Sequence, residues 1–123
     1  MRTRDQKRAD HAYEKVEKVP KASQTKFKTL ALKFPAMVLQ CGLLQTLAFY
    51  EKKDNALAFE PISEWLCTKA GLPWQTQNGR ARERLSHEST NLQLYRMATR
   101  EALAYGSWLK RGAEVILAEV KAE

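Results

Sequence analysis

The stretch Leu92–Val120, LQLYRMATREALAYGSWLKRGAEVILAEV, predicts one long amphipathic helix. Thr90 followed by Gln93 predicts a capping box at its first turn. At 1.5 Å per residue the helix would span about 43 Å, more than a compact domain of this size is wide, so other helices must pack along it. Its apolar residues recur every three or four positions, the α-helical spacing: Leu92, Tyr95, Ala98, Ala102, Tyr105, Leu109, Ala113, Ile116, Leu117 and Val120.

The rest of the chain predicts shorter helices around that one. With 123 residues and 44% hydrophobic content, the chain is expected to form a single helical domain, 1–123. No segment alternates apolar and polar residues as a strand does. We predict an all-α fold, a compact bundle of about five to six helices built along the C-terminal one. The expected shorter helices are Thr3–Val19, Thr25–Phe34, Pro35–Glu51, Pro61–Ala70 and Arg80–His87.

Proline and glycine positions set the expected boundaries. Pro35 predicts a break or kink after Phe34, because proline disfavours helical geometry at the preceding residue. The helix after it is apolar nearly all round, which is typical of a central, buried helix. Gly42 inside that helix indicates either a close helix crossing or a tolerated defect. Lys52–Glu60 is expected to be a polar turn, and Trp74, in the loop Gly71–Gly79, either anchors to the core or makes an exposed contact.

Several classes of protein are disfavoured by composition. No apolar run is long enough for a membrane span, and the charged N-terminus lacks the apolar segment of a signal peptide, so a cytoplasmic protein is expected. Cys41 and Cys67 stand alone in apolar helical patterns, which favours buried reduced thiols over a disulfide or metal pair. There is no phosphate-binding glycine loop and no histidine pair at metal-ligand spacing. We therefore expect no cofactor, no metal and no catalytic residues.

Basic residues are concentrated at the N-terminal end. The formal net charge is +7, and residues 1–33 hold ten basic residues against four acidic ones. Such a patch fits a polyanion partner such as nucleic acid, although a solvated surface gives the same composition. On the helical wheel of the N-terminal helix the charges sort by sign. The basic side holds Arg4, Lys7, Arg8, His11, Lys15 and Lys18, and a separate acidic edge holds Asp10, Glu14 and Glu17.

The C-terminal helix carries two further patterns beside its core stripe. Arg96, Arg100 and Arg111 form a second basic track. Met97, Ala104, Trp108 and Val115 lie beyond it, and they either cover a second layer of helices or dock another subunit. Arg80, Arg82 and Arg84 indicate a further, looser basic area.

Three blocks together resemble a known family: TRDQKRADHAYEKV (Thr3–Val16), PAMVLQCGLLQTLAFYEKK (Pro35–Lys53) and YRMATREALAYGSWLKRGA (Tyr95–Ala113). The sequence is similar to the small helical subunit, the fifth of the Cmr series, of type III-B CRISPR RNA-silencing effector complexes. The resemblance implies an all-α, non-catalytic protein that stacks in several copies as a secondary filament beside the subunits carrying the guide RNA. It also implies phosphate-backbone contacts with guide and target RNA.

Carried onto this sequence, the family's basic blocks fall on Arg4, Lys7 and Arg8 and on Arg96, Arg100, Lys110 and Arg111. Lys15 and Lys18 extend the first block on the same helix side. We interpret the acidic edge, Asp10, Glu14 and Glu17, with Met97 and Trp108, as a protein interface to another copy or to other effector subunits. The alternatives are a free-standing helical nucleic-acid-binding protein, or a small nuclease that uses His11.

Overall fold

The longest helix, α6 (Leu92–Ile116), is the element against which α1 (Arg4–Glu17) and α2 (Gln24–Cys41) both pack in the computed structural model, which describes residues 1–123. The predicted helix is confirmed, but its ends differ. Asn91, not Thr90, caps it, and the Asn91 carboxamide oxygen accepts from the backbone N–H of Leu94 at 2.8 Å. The Thr90 hydroxyl instead donates to the carbonyl of Arg84. Past Ile116 the chain turns, and Leu92 at the other end is exposed.

The N-terminal helix begins as its sequence predicts. The Thr3 hydroxyl accepts from the backbone N–H of Gln6, and the Gln6 side chain accepts from the backbone N–H of Thr3. This capping box satisfies two of the free N–H groups of the first turn. Ala12 and Val16 are fully buried, so the apolar side of α1 faces the core as expected.

Of the break or kink predicted at Pro35, the break is wrong, because α2 runs through Pro35 to Cys41 and ends at Gly42. Pro35 offers no N–H to the carbonyl of Ala31. The carbonyl of Leu30, one residue before Ala31, accepts from the Tyr50 hydroxyl. Gly42 has a φ of +85°, a conformation that L residues with a side chain rarely adopt, and α3 (Leu43–Tyr50) begins directly after it.

Gly42 does not mark the close helix crossing that its position suggested. A Cβ there would meet only the Tyr95 hydroxyl, at 3.9 Å. The close crossings lie on α6 instead. A Cβ at Gly106 would lie 2.6 Å from Cδ2 of Phe34, and one at Gly112 would lie 3.3 Å from Val16. These two glycines set how closely α2 and α1 approach α6.

The middle of the chain is more helical than predicted. Helix α4 (Ala56–Glu64) begins inside the expected polar turn Lys52–Glu60, where Ala58 and Phe59 are buried, and it carries Pro61 in its interior. A five-residue π-helical turn, Trp65–Lys69, continues it. The anchored alternative for Trp74 is confirmed, since the residue is buried and its indole N–H donates to the carbonyl of Leu66 at 2.9 Å.

The expected basic area at residues 80–84 is wrong. Helix α5 (Ala81–Ser86) buries Arg84, whose guanidinium donates to the carbonyls of Gly79, Gln77 and Cys67. Arg80 pairs with Glu60, and Arg82 pairs with Glu51. All three guanidiniums are therefore engaged within the fold.

The core is continuous and is lined by every helix. Cys41 is exposed rather than buried, and Leu39 beside it is 74% exposed, so the end of α2 is not the buried centre that its apolar composition suggested. Cys67 is half-buried, and both thiols are free. Not one helix combines the length and the apolar character that crossing a bilayer takes.

Candidate nucleic-acid interface

A cleft of about 350 Å³ lies where the first turns of α1 meet α6. We call it the basic cleft. Arg4 and Arg8 enter it from α1, and Arg100 enters it from α6, so the two basic patterns read from the sequence meet here. The lining residues are Arg4, Arg8, Leu72, Met97, Arg100, Glu101 and Ala104.

Glu101 is a carboxylate inside these basic surroundings, and sequence reasoning missed it. It is 4% exposed. Its Oε2 accepts from Nε of Arg8 at 2.6 Å, and its Oε1 accepts from Nη1 of Arg4 at 3.5 Å. A signal was available, because Glu101 stands three residues after Ala98 and four before Tyr105, at the spacing of the buried stripe.

Asp5 and Trp108 complete the same network. The Trp108 indole N–H donates to Oδ1 of Asp5 at 2.8 Å, and Nη1 of Arg8 donates to the same oxygen at 3.2 Å. These hydrogen bonds, with the one from Trp108 the largest cause, lower the pKa of the Asp5 carboxyl. Trp108 thus covers a second helix, α1, which is one of the two alternatives read from the sequence. Met97 is half-buried in the cleft wall.

His11 lies in a second polar cluster between α1, α4 and α6. Its Nε2 is 2.7 Å from Oε1 of Glu64, and its Nδ1 is 2.7 Å from the hydroxyl of Tyr105. Lys15 reaches the other oxygen of Glu64 at 3.3 Å. The hydrogen bond from His11, and then the one from Lys15, lower the pKa of Glu64, while burial raises the pKa of Tyr105. Both ring nitrogens of His11 are therefore engaged in joining helices.

The nine predicted RNA-contact residues divide by their partners. Arg4, Arg8 and Lys15 bond to Glu101 or Glu64, Lys18 pairs with Glu14 at 3.0 Å, and Arg111 lies 3.8 Å from Glu114. The other four are exposed and form no ion pair within 4.0 Å: Lys7, Arg96, Arg100 and Lys110. The structure thus leaves cations available on both α1 and α6.

The acidic edge of α1 is exposed along its length. Asp10 pairs with Arg2 at 3.1 Å, and Glu14 pairs with Lys18. Glu17 forms no ion pair. The Glu14–Lys18 pair mixes the signs that the helical wheel had separated, and exposed pairs of this kind are weak.

The chain has known relatives along almost its whole length. Residues 4–116 match the model of the family described as CRISPR-associated protein (Cas_Cmr5). The chain belongs to the Cmr5 family. A curated relative from Thermus thermophilus, "CRISPR system Cmr subunit Cmr5", is 35% identical over 120 residues, which covers 97% of this chain and 100% of the relative.

A solved structure agrees with the assignment. The X-ray crystal structure of a CRISPR-associated Cmr5 family protein, also from Thermus thermophilus, superposes with a TM-score of 0.73 at 31% identity. The match covers 98% of this chain and 100% of the other. The resemblance read from the three sequence blocks is confirmed, and so is the predicted all-α fold of this chain.

Proposed function

We propose that this chain is the small, non-catalytic subunit of a type III-B Cmr effector complex. Its copies stack as a secondary filament, and the basic cleft and the exposed cations of α1 and α6 contact the phosphate backbone of guide and target RNA. The partners are other CRISPR effector subunits, further copies of the chain, and the two RNAs. The relative named as a Cmr subunit supports the assignment to the complex.

The observation that carries the RNA contact is the meeting of α1 and α6 at the basic cleft. Two cationic patterns that are far apart in sequence meet there, through Arg4 and Arg8 of α1 and the unpaired Arg100 of α6. The other unpaired cations, Lys7, Arg96 and Lys110, are exposed elsewhere on the same two helices. Backbone contacts position a duplex without reading its sequence. That suits a complex in which pairing with the guide supplies the specificity.

The test reverses three unpaired cations, Lys7, Arg100 and Lys110, to Glu in the reconstituted complex. RNA retention should fall, and the slope of log K against log salt concentration should become shallower by about 0.7–0.9 for each phosphate group that is no longer neutralised. The matched control reverses three other exposed lysines without ion pairs, Lys52, Lys53 and Lys121, and should leave both quantities nearly unchanged. Equal effects of the two triple variants would contradict the proposal.

The proposed protein interface at the acidic edge of α1 is tested by a separate measurement. Changing Asp10, Glu14 and Glu17 to Lys should lower incorporation of the chain into the complex, measured as subunit stoichiometry before any RNA is added. Normal stoichiometry would show that this edge is only solvated surface.

The proposal that the chain is non-catalytic is tested with His11→Gln. An assembled complex that carries this variant should cleave target RNA at the unaltered rate, because both nitrogens of His11 bond to structural partners. Loss of cleavage with assembly intact would favour the nuclease alternative.

A further inference from the structure

Glu101 is an unexpected residue for a phosphate-contacting surface, because its negative charge opposes the binding of an anion. Taking a carboxylate out of water is costly, and a well-placed partner must compensate for it. Glu101 is 4% exposed, and its two oxygens are taken by Arg8 and Arg4. The carboxylate therefore has a role that its charge alone does not explain.

We infer that Glu101 is a positioning residue for RNA, which fixes the guanidiniums of Arg4 and Arg8 so that their remaining N–H groups face a phosphate group in the basic cleft. This inference rests on the proposed function. Arg8 uses Nε on Glu101 and Nη1 on Asp5, which leaves Nη2 without a partner. Arg4 uses only Nη1, which leaves Nε and Nη2.

The two arginines are held to different degrees. The Arg8 side chain is 17% exposed and is held by two carboxylates, while the Arg4 side chain is 62% exposed and rests on Glu101 alone. A guanidinium fixed before binding loses less side-chain freedom when it meets a phosphate. Arg4 consequently depends on Glu101 the most.

The direction in which one substitution changes RNA affinity distinguishes a positioning role from an effect of charge alone. Glu101→Gln keeps the size of the side chain and removes a negative charge from the basic cleft. If charge alone mattered, RNA would bind more tightly. If Glu101 positions the arginines, RNA binds more weakly in spite of the added net positive charge. The expected loss is about three- to tenfold in affinity, the effect of one long side chain that must be ordered on binding.

The experiment measures RNA affinity of the reconstituted complex at several salt concentrations, with wild-type and variant chains. Glu101→Asp retains the charge and shortens the reach, so it should also weaken binding, and it serves as well if Glu101→Gln fails to assemble. Arg4→Gln should reduce the effect of Glu101→Gln, since only Arg8 then remains to be positioned and Asp5 also holds Arg8. A role of Glu101 in stability alone would not produce this dependence on Arg4.

The matched control is Glu51→Gln. Glu51 also accepts from the Nε of an arginine, Arg82, at 2.8 Å, but it joins α3 to α5 and lines no part of the basic cleft. RNA affinity should not change with this variant.

Two failures can be told apart. Equal or tighter binding by Glu101→Gln, while the triple reversal of Lys7, Arg100 and Lys110 weakens binding, would overturn the positioning role and keep the proposed function. If none of these substitutions changes RNA affinity, the proposed function itself fails.

Discussion

The two sides of α6 are built by opposite means. Toward α2 the contact is apolar and close, with Phe34 against the bare backbone of Gly106 and the ring of Pro35 next to it. Toward α1 about two turns of the contact are polar: Glu101, Tyr105 and Trp108 bond to Arg8, His11 and Asp5. One helix thus has a side defined by shape and a side defined by hydrogen bonds and charge.

The two sides contribute differently: the apolar side mainly stabilises the fold, and the polar side mainly orients charged groups. A tight apolar crossing fixes the distance between two helices and contributes through dispersion and burial, without directing any charge. A polar junction contributes less net free energy, because each group leaves water to form its bond. Its hydrogen bonds are directional, however, and at Arg4 and Arg8 they direct guanidiniums toward the basic cleft. Substitutions on the apolar side should therefore change mainly the free energy of unfolding. Substitutions on the polar side should change it less and should also alter the orientation of charged groups.

The largest effect is expected at the apolar crossing. Gly106→Ala places a Cβ within 3 Å of two Phe34 ring carbons, so the helices must separate or the ring must move. Although alanine favours a helix, the free energy of unfolding should fall by about 2–3 kcal/mol. Urea denaturation measures this. Ser107→Ala, the exposed neighbour, should change stability by less than about 0.5 kcal/mol. Adding Phe34→Leu to Gly106→Ala should recover part of the stability, and no recovery would refute the steric explanation.

The next effect is expected at the polar junction. Arg8→Met leaves the buried Glu101 with only the longer contact from Arg4, which should lower the free energy of unfolding by about 2 kcal/mol. The double variant Arg8→Met with Glu101→Leu should be within about 1 kcal/mol of the wild type, because no charge is then buried without its partner. A double variant as unstable as the single one would show that packing, and not the ion pair, matters here.

A smaller loss of stability is expected when one hydrogen bond between α1 and α6 is removed. Tyr105→Phe removes the hydroxyl that faces Nδ1 of His11, at an expected cost of about 1 kcal/mol. Tyr13→Phe is the matched control, because Tyr13 packs on Gly112 in the same junction and its hydroxyl has no hydrogen-bond partner in the protein. Thermal unfolding of both variants makes the comparison. Equal losses of stability would contradict the importance of the Tyr105 bond.

The smallest effect is a dependence on pH that only the polar side should show. The pKa of Glu64 is lowered in the fold from its ordinary value of 4.5, first by the hydrogen bond from His11. Its contribution is therefore present above about pH 4.5 and is lost as the pH falls through the folded value. Because Glu64 is exposed by 42%, the contribution is only a few tenths of a kcal/mol, roughly that of a surface pair. Glu64→Gln should be slightly less stable than wild type at neutral pH, and the difference should close on acidification. A difference that does not shrink at all as the pH is lowered below 4.5 toward acid unfolding would contradict this.

Periodicity predicted the elements well and their junctions poorly. The spacing of Leu94 to Leu117 is long and regular, so the existence of α6 follows from local sequence. Pro35 and Gly42 are both helix breakers by propensity, and sequence alone favoured the first. Pro35 lies inside α2, where Phe34 and Pro35 pack on Gly106 and the Tyr50 hydroxyl donates to the carbonyl of Leu30. Those partners are far apart in sequence, and the tertiary contacts override the local preference.

The same limit applies to the candidate site. The wheel of α1 correctly grouped Arg4 and Arg8, but it described a free basic side where the structure has a junction. Glu101 and Glu64, which bind these cations, lie on other helices, and no local pattern of α1 shows them. The predicted burial of Cys41 is wrong for the opposite reason. The pattern at the end of α2 is apolar, but no helix covers it.

The buried guanidinium of Arg84 has a consequence for one wall of the basic cleft. Its three acceptors, the carbonyls of Cys67, Gln77 and Gly79, all precede it in the chain, and the loop between them carries Leu72 into the basic cleft. The loop is also held by Trp74, whose indole N–H donates to the carbonyl of Leu66. A local opening of α5 should therefore release the bonds of Arg84 without releasing Trp74, and it should loosen the loop only in part. One wall of the cleft is thus held in part by a residue that never touches the cleft.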